Sequence, residues 1–311
     1  MARERSTFVI SITPFDEAER LDEAAMRGHL RRMGDAGIGV YVVGGGSGEA
    51  YTLSRDEQET ILGIAAEELK GRSPVRAMGV EPRTAQQMID FSRLVEAAGL
   101  DAMQVYSLDQ GHGHRPQNEE IEQYFVDILD NVRIPVVLST HQSVGYFLQP
   151  QLLERLVARY DNIVGINVTN MDITYLIDLV DRLPERIGLH VGGPMQAITA
   201  MALGASGYLS SEGNVAPRLC KSVVDHFQAG EHEAAHQAYG TLMRLFTLNA
   251  RNGGTRATKA ELSAFGQPGG FSRRPRIAVR DPELSAMLVR EVEALGIPRI
   301  EGFAAVAAQR N

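Results

Sequence analysis

Short apolar stretches alternate with longer amphipathic stretches over most of the chain, from residue 8 to about residue 215. The apolar stretches are rich in β-branched residues, which is typical of strands buried on both faces. The sequence predicts eight such strands, at residues 8–15, 39–45, 74–80, 102–107, 135–140, 163–168, 187–192 and 207–211.

The amphipathic stretches between these strands have helical spacing. One of them spans residues 54–71 and opens with Ser54, followed three residues later by Glu57, which is the signature of a capping box. Strands that alternate with helices form parallel sheets, and eight such units predict a closed (β/α)8 barrel. A doubly wound open sheet has a similar pattern and is the alternative. Its dinucleotide-binding form needs GxGxxG after the first strand, and ITPFDE at residues 12–17 does not supply it.

The pattern becomes purely helical after the eighth predicted strand. We therefore divide the chain into a barrel at residues 1–215 and a C-terminal helical segment at residues 216–311 that packs on the barrel. Residues 266–281, between the last two predicted helices, are rich in Gly, Pro and Arg and are predicted to form a packed surface connection.

Composition narrows the classes of partner. The chain has 311 residues, of which 44% are hydrophobic, and 39 acidic against 31 basic residues give a net charge of −8. This charge disfavours nucleic acid and anionic membrane surfaces as partners. The N-terminus lacks the apolar segment of a signal peptide, and the single cysteine, Cys220, excludes an internal disulfide framework. We expect a cytoplasmic protein.

Candidate chemistry lies after the predicted strands, because barrel enzymes build their sites at the C-terminal strand ends. The turn GGGSGE at residues 44–49 has enough glycine for its backbone N–H groups to face an anion such as a carboxylate. A tight turn with no ligand would have the same composition, so both interpretations stay open.

Several segments in fixed order resemble the dihydrodipicolinate synthase and N-acetylneuraminate lyase family. They are ITPF at 12–15, GGGSGEAYTLSRDEQ at 44–58, AGLDAMQV at 98–105, LGASGYLSSEGNVAP at 203–217 and NGGTRATKAELSAFG at 252–266. The resemblance implies a pyruvate-type class I aldolase on a (β/α)8 barrel with a helical C-terminal extension. It also implies a homotetramer or homodimer and requires no cofactor.

The chain departs from this family at the positions that carry the family's catalytic residues. The family's Schiff-base lysine lies on the sixth strand in GIK, and GIN here places Asn167 at that position. The relay tyrosine of the fifth strand matches Ser139, and a second tyrosine matches Gln110. Gly46 replaces the first hydroxyl residue of the glycine turn, and the arginine that follows the fifth-strand motif in several members is absent.

An amide nitrogen cannot replace an amine as the nucleophile, because its lone pair is delocalised into the carbonyl group. Asn167 can therefore form hydrogen bonds but no imine. The chain has only three lysines, Lys70, Lys221 and Lys259, and none follows a predicted strand. We predict that no Schiff base forms with 2-oxo acids.

The first functional hypothesis is a divergent lyase, hydratase or decarboxylase that binds a small carboxylate or 2-oxo acid without covalent capture. His141 is the best candidate for proton transfer, because it is the only histidine directly after a predicted strand, although a histidine with only loop hydrogen bonds would look the same. The predicted catalytic residues are Asn167, His141 and Ser139, and the predicted substrate-binding residues are Gly46, Ser47, Thr13, Gln110, Thr169, Gly193 and Ser211.

Two alternatives remain. His112 and His114, with Asp109, Glu81 and His141, would be competent ligands for a divalent metal, although solvated loop histidines give the same pattern, and we assign no metal ligand. In the second alternative, the chain has lost its catalytic activity and serves as a small-molecule binding protein or a structural protein. Polar residues at most strand ends favour some ligand, because a buried polar group without a partner costs about 1–3 kcal/mol. Glu49 and Glu212 are conceivable bases, but capping of the following helix explains them equally well.

Overall fold

Eight parallel strands close into one barrel in chain order, and helices surround it. This confirms the predicted (β/α)8 fold. The computed structural model describes residues 3–109, 111, 115–141 and 145–303. The strands are β1 Ser6–Ile10, β2 Gly39–Gly44, β3 Val75–Gly79, β4 Ala102–Tyr106, β5 Val136–Ser139, β6 Ile163–Val168, β7 Gly188–Gly192 and β8 Gly207–Ser210.

The helices follow the strands as predicted. They are α1 Glu23–Ala36, α2 Arg55–Leu69, α3 Ala85–Ala98, α4 Asn118–Leu129, α5 Pro150–Arg159, α6 Ile173–Arg182, α7 Ala197–Ala202, α8 Pro217–Ala229, α9 His232–Arg251, α10 Thr255–Ala264, α11 Pro282–Ala294 and α12 Ile297–Glu301. The capping box at α2 is present, because Ser54 accepts from the Glu57 backbone N–H and the Glu57 carboxylate accepts from the Ser54 N–H.

The barrel closes where β1 pairs with both β2 and β8, and Phe8 lies opposite Gly39 on one side and Leu209 on the other. The first strand is shorter than residues 8–15, because the chain leaves the sheet after Ile10. The Ile12 N–H then donates to the side chain of Asn214 instead of to a strand.

Two groups of apolar side chains fill the structure. The larger group lies between the outer faces of the strands and the helices. The smaller group lies inside the barrel and consists of Phe8, Tyr41, Met78, Tyr106 and Leu209. Alternate residues of a strand face opposite sides, so every second strand residue points into the barrel and determines what lies beneath its mouth.

The C-terminal helices extend the helical layer. Helix α8 lies against β1 and α1, so it completes the eighth strand–helix unit. The same helix carries the buried free thiol of Cys220. The predicted boundary at residue 215 stays a prediction. After α10 the chain returns to the barrel, where Phe271 forms an antiparallel bridge with Phe15. Among the described residues, no helix combines the length and apolarity that crossing a membrane requires.

Candidate active site

The C-terminal ends of the strands surround a cavity of about 440 Å³. Its polar side chains come from the C-terminal parts of four neighbouring strands, β3 to β6, and the residues that follow them: Glu81, Gln104, Tyr106, Ser139, His141 and Thr169. Ile10, Met78 and Leu209 form the apolar part of the wall. A larger groove of about 620 Å³ lies between α9 and α11, but no strand-end residue reaches it. The cavity at the barrel mouth is therefore the candidate active site.

Three groups capable of proton transfer line this cavity. Glu81 follows β3, Tyr106 ends β4, and His141 follows β5. Burial lowers the pKa of His141 below its usual 6.5, and the nearby Glu81 carboxylate partly opposes that shift. Burial also raises the pKa of Tyr106 well above 10, and Glu81 raises it further. At neutral pH His141 is thus a neutral proton acceptor and Tyr106 is a hydroxyl donor.

Asn167 lies beneath the cavity and does not line it. The residue is level with Ser139 on the neighbouring strand, and its side chain is buried. Its Nδ2 donates to Tyr41 Oη at 3.2 Å and to Gln104 Oε1. Gln104 does line the cavity. The Asn167 amide therefore holds a residue of the cavity floor in place.

The polar residues around Asn167 were not predicted from the sequence. Tyr41, Arg76 and Gln104 lie inside the barrel, and Arg76 Nη1 donates to Tyr41 Oη at 3.2 Å. A signal was present, because Arg76 and Gln104 are strongly polar residues within otherwise apolar strands. Both residues lie inside the barrel before the strand ends, where the sequence pattern predicts no site.

The glycine turn after β2 packs tightly. Thr13 Oγ1 donates to the Gly48 carbonyl at 2.7 Å, so this hydroxyl holds the turn and does not line the cavity. A side chain at Gly48 would place its Cβ only 2.7 Å from the Gly44 carbonyl oxygen. Gly45 and Gly46 line the cavity, whereas Ser47 is buried outside the lining.

A carboxylate already stands at the predicted anion position. Glu81 Oε2 lies 3.3 Å from where a Cβ on Gly45 would be. A second carboxylate bound at this part of the turn would be repelled by Glu81. The anion-binding role predicted for Gly46 and Ser47 stays a prediction, and the geometry favours another position for a ligand carboxylate.

Glu49 forms a buried ion pair with Lys259, and the Lys259 Nζ to Glu49 Oε1 distance is 2.6 Å. Nζ also donates to the carbonyls of Thr13 and Phe271, each at 2.8 Å, so all three of its protons are engaged. Burial lowers the pKa of Lys259 to about 8, and Glu49 opposes that shift. This pair connects the glycine turn to α10 and has a structural role.

None of the three lysines lines the cavity. Lys70 donates to the Gly99 carbonyl, and Lys221 pairs with Asp225 on the surface. Lys259 is the only buried lysine of the three, and it is paired with Glu49.

The remaining predicted residues divide into three groups. Thr169 and Gly193 line the cavity, as do Ser139 and His141. Ser211 points elsewhere, because its Oγ donates to Glu212 Oε1 at 3.1 Å. Gln110, His112 and His114 lie outside the described residues. Within the described parts of the chain, no group of three or more His, Cys, Asp or Glu side chains is arranged to hold a metal ion.

Two buried carboxyl groups lie behind the cavity, Glu212 after β8 and Glu261 on α10. Hydroxyls of Ser210 and Ser211 donate to Glu212. Asn249, with its amide turned to donate, lies 2.6 Å from Glu261 Oε1. Burial raises the pKa of Glu261 to about 8, and the neighbouring Glu212 raises it further. Glu261 is thus protonated in the folded protein at neutral pH.

The raised pKa of Glu261 makes stability depend on pH. Its folded-state pKa of about 8 exceeds the usual 4.5, so its contribution is fully present below about pH 4.5 and is lost as pH rises to about 8. We expect Glu261→Gln, which cannot ionise, to stabilise the protein at pH 8–9 and to have little effect at pH 4.5. The difference in free energy of unfolding should widen by up to about 1.4 kcal/mol per pH unit.

Urea unfolding at several pH values measures this effect. Glu119→Gln, on the exposed side of α4, is the matched control and should show no comparable pH dependence. A Glu261→Gln effect that does not change between pH 5 and pH 8.5 would contradict the protonated state of Glu261.

Comparison with known sequences identifies the same family over most of the chain. The Dihydrodipicolinate synthetase family matches residues 4–293. A 4-hydroxy-tetrahydrodipicolinate synthase of Chlorobaculum parvum is 26% identical over 290 residues, which cover 93% of this chain and 96% of that protein. The protein of the same name from Methanopyrus kandleri is 27% identical, with 92% of this chain and 94% of that protein covered.

Solved structures share the fold. A dihydrodipicolinate synthase of Aquifex aeolicus superposes with a TM-score of 0.85 at 23% identity and covers 94% of this chain and 99% of its own. An Escherichia coli K12 prophage protein of the dihydrodipicolinic acid synthase family, solved in complex with pyruvate, gives a TM-score of 0.85 at 21% identity and the same coverage. At these identities the likeness concerns the fold alone.

Proposed function

This chain belongs to the dihydrodipicolinate synthetase family, and we propose that it is a lyase-type enzyme that acts on a small 2-oxo acid or related carboxylate without forming an imine. One observation carries the proposal. Glu81, Tyr106 and His141 converge on a single cavity at the barrel mouth, and no lysine lines that cavity. General acid–base groups are thus in place where the covalent nucleophile is not.

The substrate class follows from the family and from the size of the cavity. The Escherichia coli relative described in complex with pyruvate supports a 2-oxo acid as ligand. A cavity of about 440 Å³ accommodates such an acid together with a substituent packed against Ile10, Met78 and Leu209. The donors near the floor, Tyr106, Gln104 and Ser139, would face the oxo and carboxylate oxygens.

The chemistry requires a base and a hydrogen-bond donor. In the cleavage of a 4-hydroxy-2-oxo acid, neutral His141 would accept the hydroxyl proton while the C3–C4 bond breaks. The electron pair of that bond would form the enolate of the 2-oxo acid, and its oxygen would accept hydrogen bonds from Tyr106 and Gln104. Proton transfer from His141 to C3 of the enolate would then regenerate both the base and the free 2-oxo acid.

Ligand binding followed by turnover tests this function. Thermal-shift measurements with 2-oxo acids, hydroxy acids and sugar acids would identify a ligand, and product analysis would then detect cleavage or dehydration. Binding with turnover supports the proposal. Binding of a 2-oxo acid without turnover would instead favour the alternative in which the family fold serves as a small-molecule binding protein. Stabilisation only in the presence of a divalent cation would favour the metal-assisted alternative.

Borohydride trapping tests the absence of an imine. Treatment of the protein with pyruvate and sodium borohydride should leave its intact mass unchanged, because an amide at position 167 offers no nucleophilic nitrogen. A relative that keeps a lysine at the matching position is the positive control and should gain the mass of the reduced adduct. A stable adduct on this protein, at any of its three lysines, would contradict the proposed non-covalent mechanism.

The assembly remains a proposal from the family resemblance. We propose a homotetramer or homodimer, and light scattering of the purified protein measures it directly.

A further inference from the structure

Arg76 points into the barrel and is partly exposed to solvent. It projects inward from β3, and its guanidinium stacks over Phe8 at 4.2 Å and lies 5.8 Å from the centre of the Tyr41 ring. Its only described hydrogen bond goes to Tyr41 Oη at 3.2 Å. Among the described residues no acidic side chain forms an ion pair with it, whereas the surface arginines Arg27, Arg31 and Arg155 all have one.

The nearby ring of His190 adds no second charge to that of Arg76. Burial, together with the positive charge of Arg76, lowers the pKa of His190 to about 3. His190 is therefore neutral at neutral pH, and its Nε2 lies 2.9 Å from Ser6 Oγ. An arginine side chain carries a positive charge. The interior of the barrel thus holds one positive charge that no described neighbour neutralises.

A chain of hydrogen bonds leads from this charge to the cavity. Arg76 donates to Tyr41, and Asn167 donates to both Tyr41 and Gln104. Gln104 and Tyr106 both line the cavity, and the Gln104 side chain lowers the pKa of Tyr106, opposing the larger effect of burial. Tyr41 Oη accepts from both Arg76 and Asn167, and the Asn167 amide connects that oxygen to Gln104 at the cavity floor.

We infer that Arg76 is a positioning residue that gives the cavity floor a positive potential and so selects the anionic end of the ligand. The inference rests on the proposed function, because it assumes a ligand that carries a carboxylate or develops an enolate. Glu81 stands at the mouth, against the glycine turn, and Arg76 lies beneath the floor. A 2-oxo acid would therefore bind with its carboxylate and oxo oxygens toward Gln104 and Tyr106 and its remaining atoms toward Glu81 and His141.

The magnitude is large enough to measure. A unit charge roughly 10 Å from an anion changes its affinity by roughly tenfold or more at an effective dielectric constant of about 20. Arg76 is partly exposed to solvent, so the effective dielectric constant of about 20 that is typical near a protein surface applies.

Paired ligands separate this electrostatic role from a structural one. Calorimetric titration would compare pyruvate with methyl pyruvate, its uncharged ester, on the wild type and on Arg76→Met and Arg76→Lys. We expect Arg76→Met to weaken pyruvate binding by roughly tenfold or more while methyl pyruvate binding changes less than about threefold. Arg76→Lys, which keeps the charge, should restore most of the pyruvate affinity. Arg155→Met, which removes a surface arginine, is the matched control and should change neither affinity.

Each outcome has a distinct meaning. Equal loss of both ligands in Arg76→Met, or no loss of pyruvate, overturns the role of Arg76 and leaves the proposed function intact. If Arg76→Met does not fold, failure of Arg76→Lys to retain the wild-type preference for pyruvate over its ester overturns the inference equally. If the wild type binds the ester as tightly as pyruvate, the inference fails. If it binds no 2-oxo acid at all, the proposed substrate class fails with it.

Discussion

Replacing Lys259 with methionine should lower the free energy of unfolding by about 3–5 kcal/mol, the usual effect of removing one partner from a buried ion pair. The side chains of Lys259 and Glu49 are 3% and 0% exposed, so solvent cannot replace the lost partner. The carbonyls of Thr13 and Phe271 would lose a donor as well. Urea unfolding at pH 7 measures the change.

A double variant distinguishes the destabilisation caused by the unpaired Glu49 carboxylate from the destabilisation caused by lost packing. The double variant Glu49→Gln with Lys259→Met removes both charges, and we expect it to be more stable than Lys259→Met alone. Lys221→Met breaks only the surface pair with Asp225 and should cost less than about 1 kcal/mol. Equal losses for Lys221→Met and Lys259→Met would show that the buried pair has no special role.

Replacing His141 with alanine should lower kcat/KM for the physiological substrate by about 10²–10⁴-fold, the usual contribution of a general base. Glu81→Gln removes the charge that opposes the lowered pKa of His141 and should reduce kcat/KM by a smaller factor. His226→Ala, at the surface end of α8, is the matched control and should leave the rate unchanged. A His141→Ala variant with wild-type kcat/KM would remove His141 from the mechanism.

The pH profile provides a second measurement on the same group. His141 is active as a base only when neutral, and its pKa lies below 6.5 because of burial. The kcat/KM of the wild type should therefore not depend on pH near pH 7. It should fall only when the pH drops through the lowered pKa of His141. Without the Glu81 charge the pKa of His141 falls further, so Glu81→Gln should shift this acidic limb to lower pH.

The fold could be predicted from sequence because its determinants are local and repeated. Buried parallel strands and amphipathic helices each leave a pattern within about ten residues, and the capping box at Ser54 and Glu57 specified the start of α2. The end of β1 was missed, since what ends that strand is a hydrogen bond from Ile12 to Asn214, which is 202 residues away in sequence.

The site was only partly predictable for the same reason. Ser139, His141, Thr169 and Gly193 follow strands and do line the cavity. Asn167 also lies on the inner face of the barrel, but whether its amide reaches the cavity depends on Tyr41 and Gln104, which come from other strands. The roles of Thr13 and Glu49 depend on Lys259, and no local pattern connects residues so far apart.

The separation of Glu49 and Lys259 in the sequence determines how late during translation their ion pair can form. Its partners are separated by 210 residues. At about 5–20 residues added per second, roughly 10–40 s pass between the emergence of the first and of the second. During that interval the Glu49 carboxylate lacks its counter-ion and favours a hydrated state. The nascent chain can therefore form its early strand–helix units before Lys259 has been synthesised, and only the buried ion pair itself has to wait for that residue.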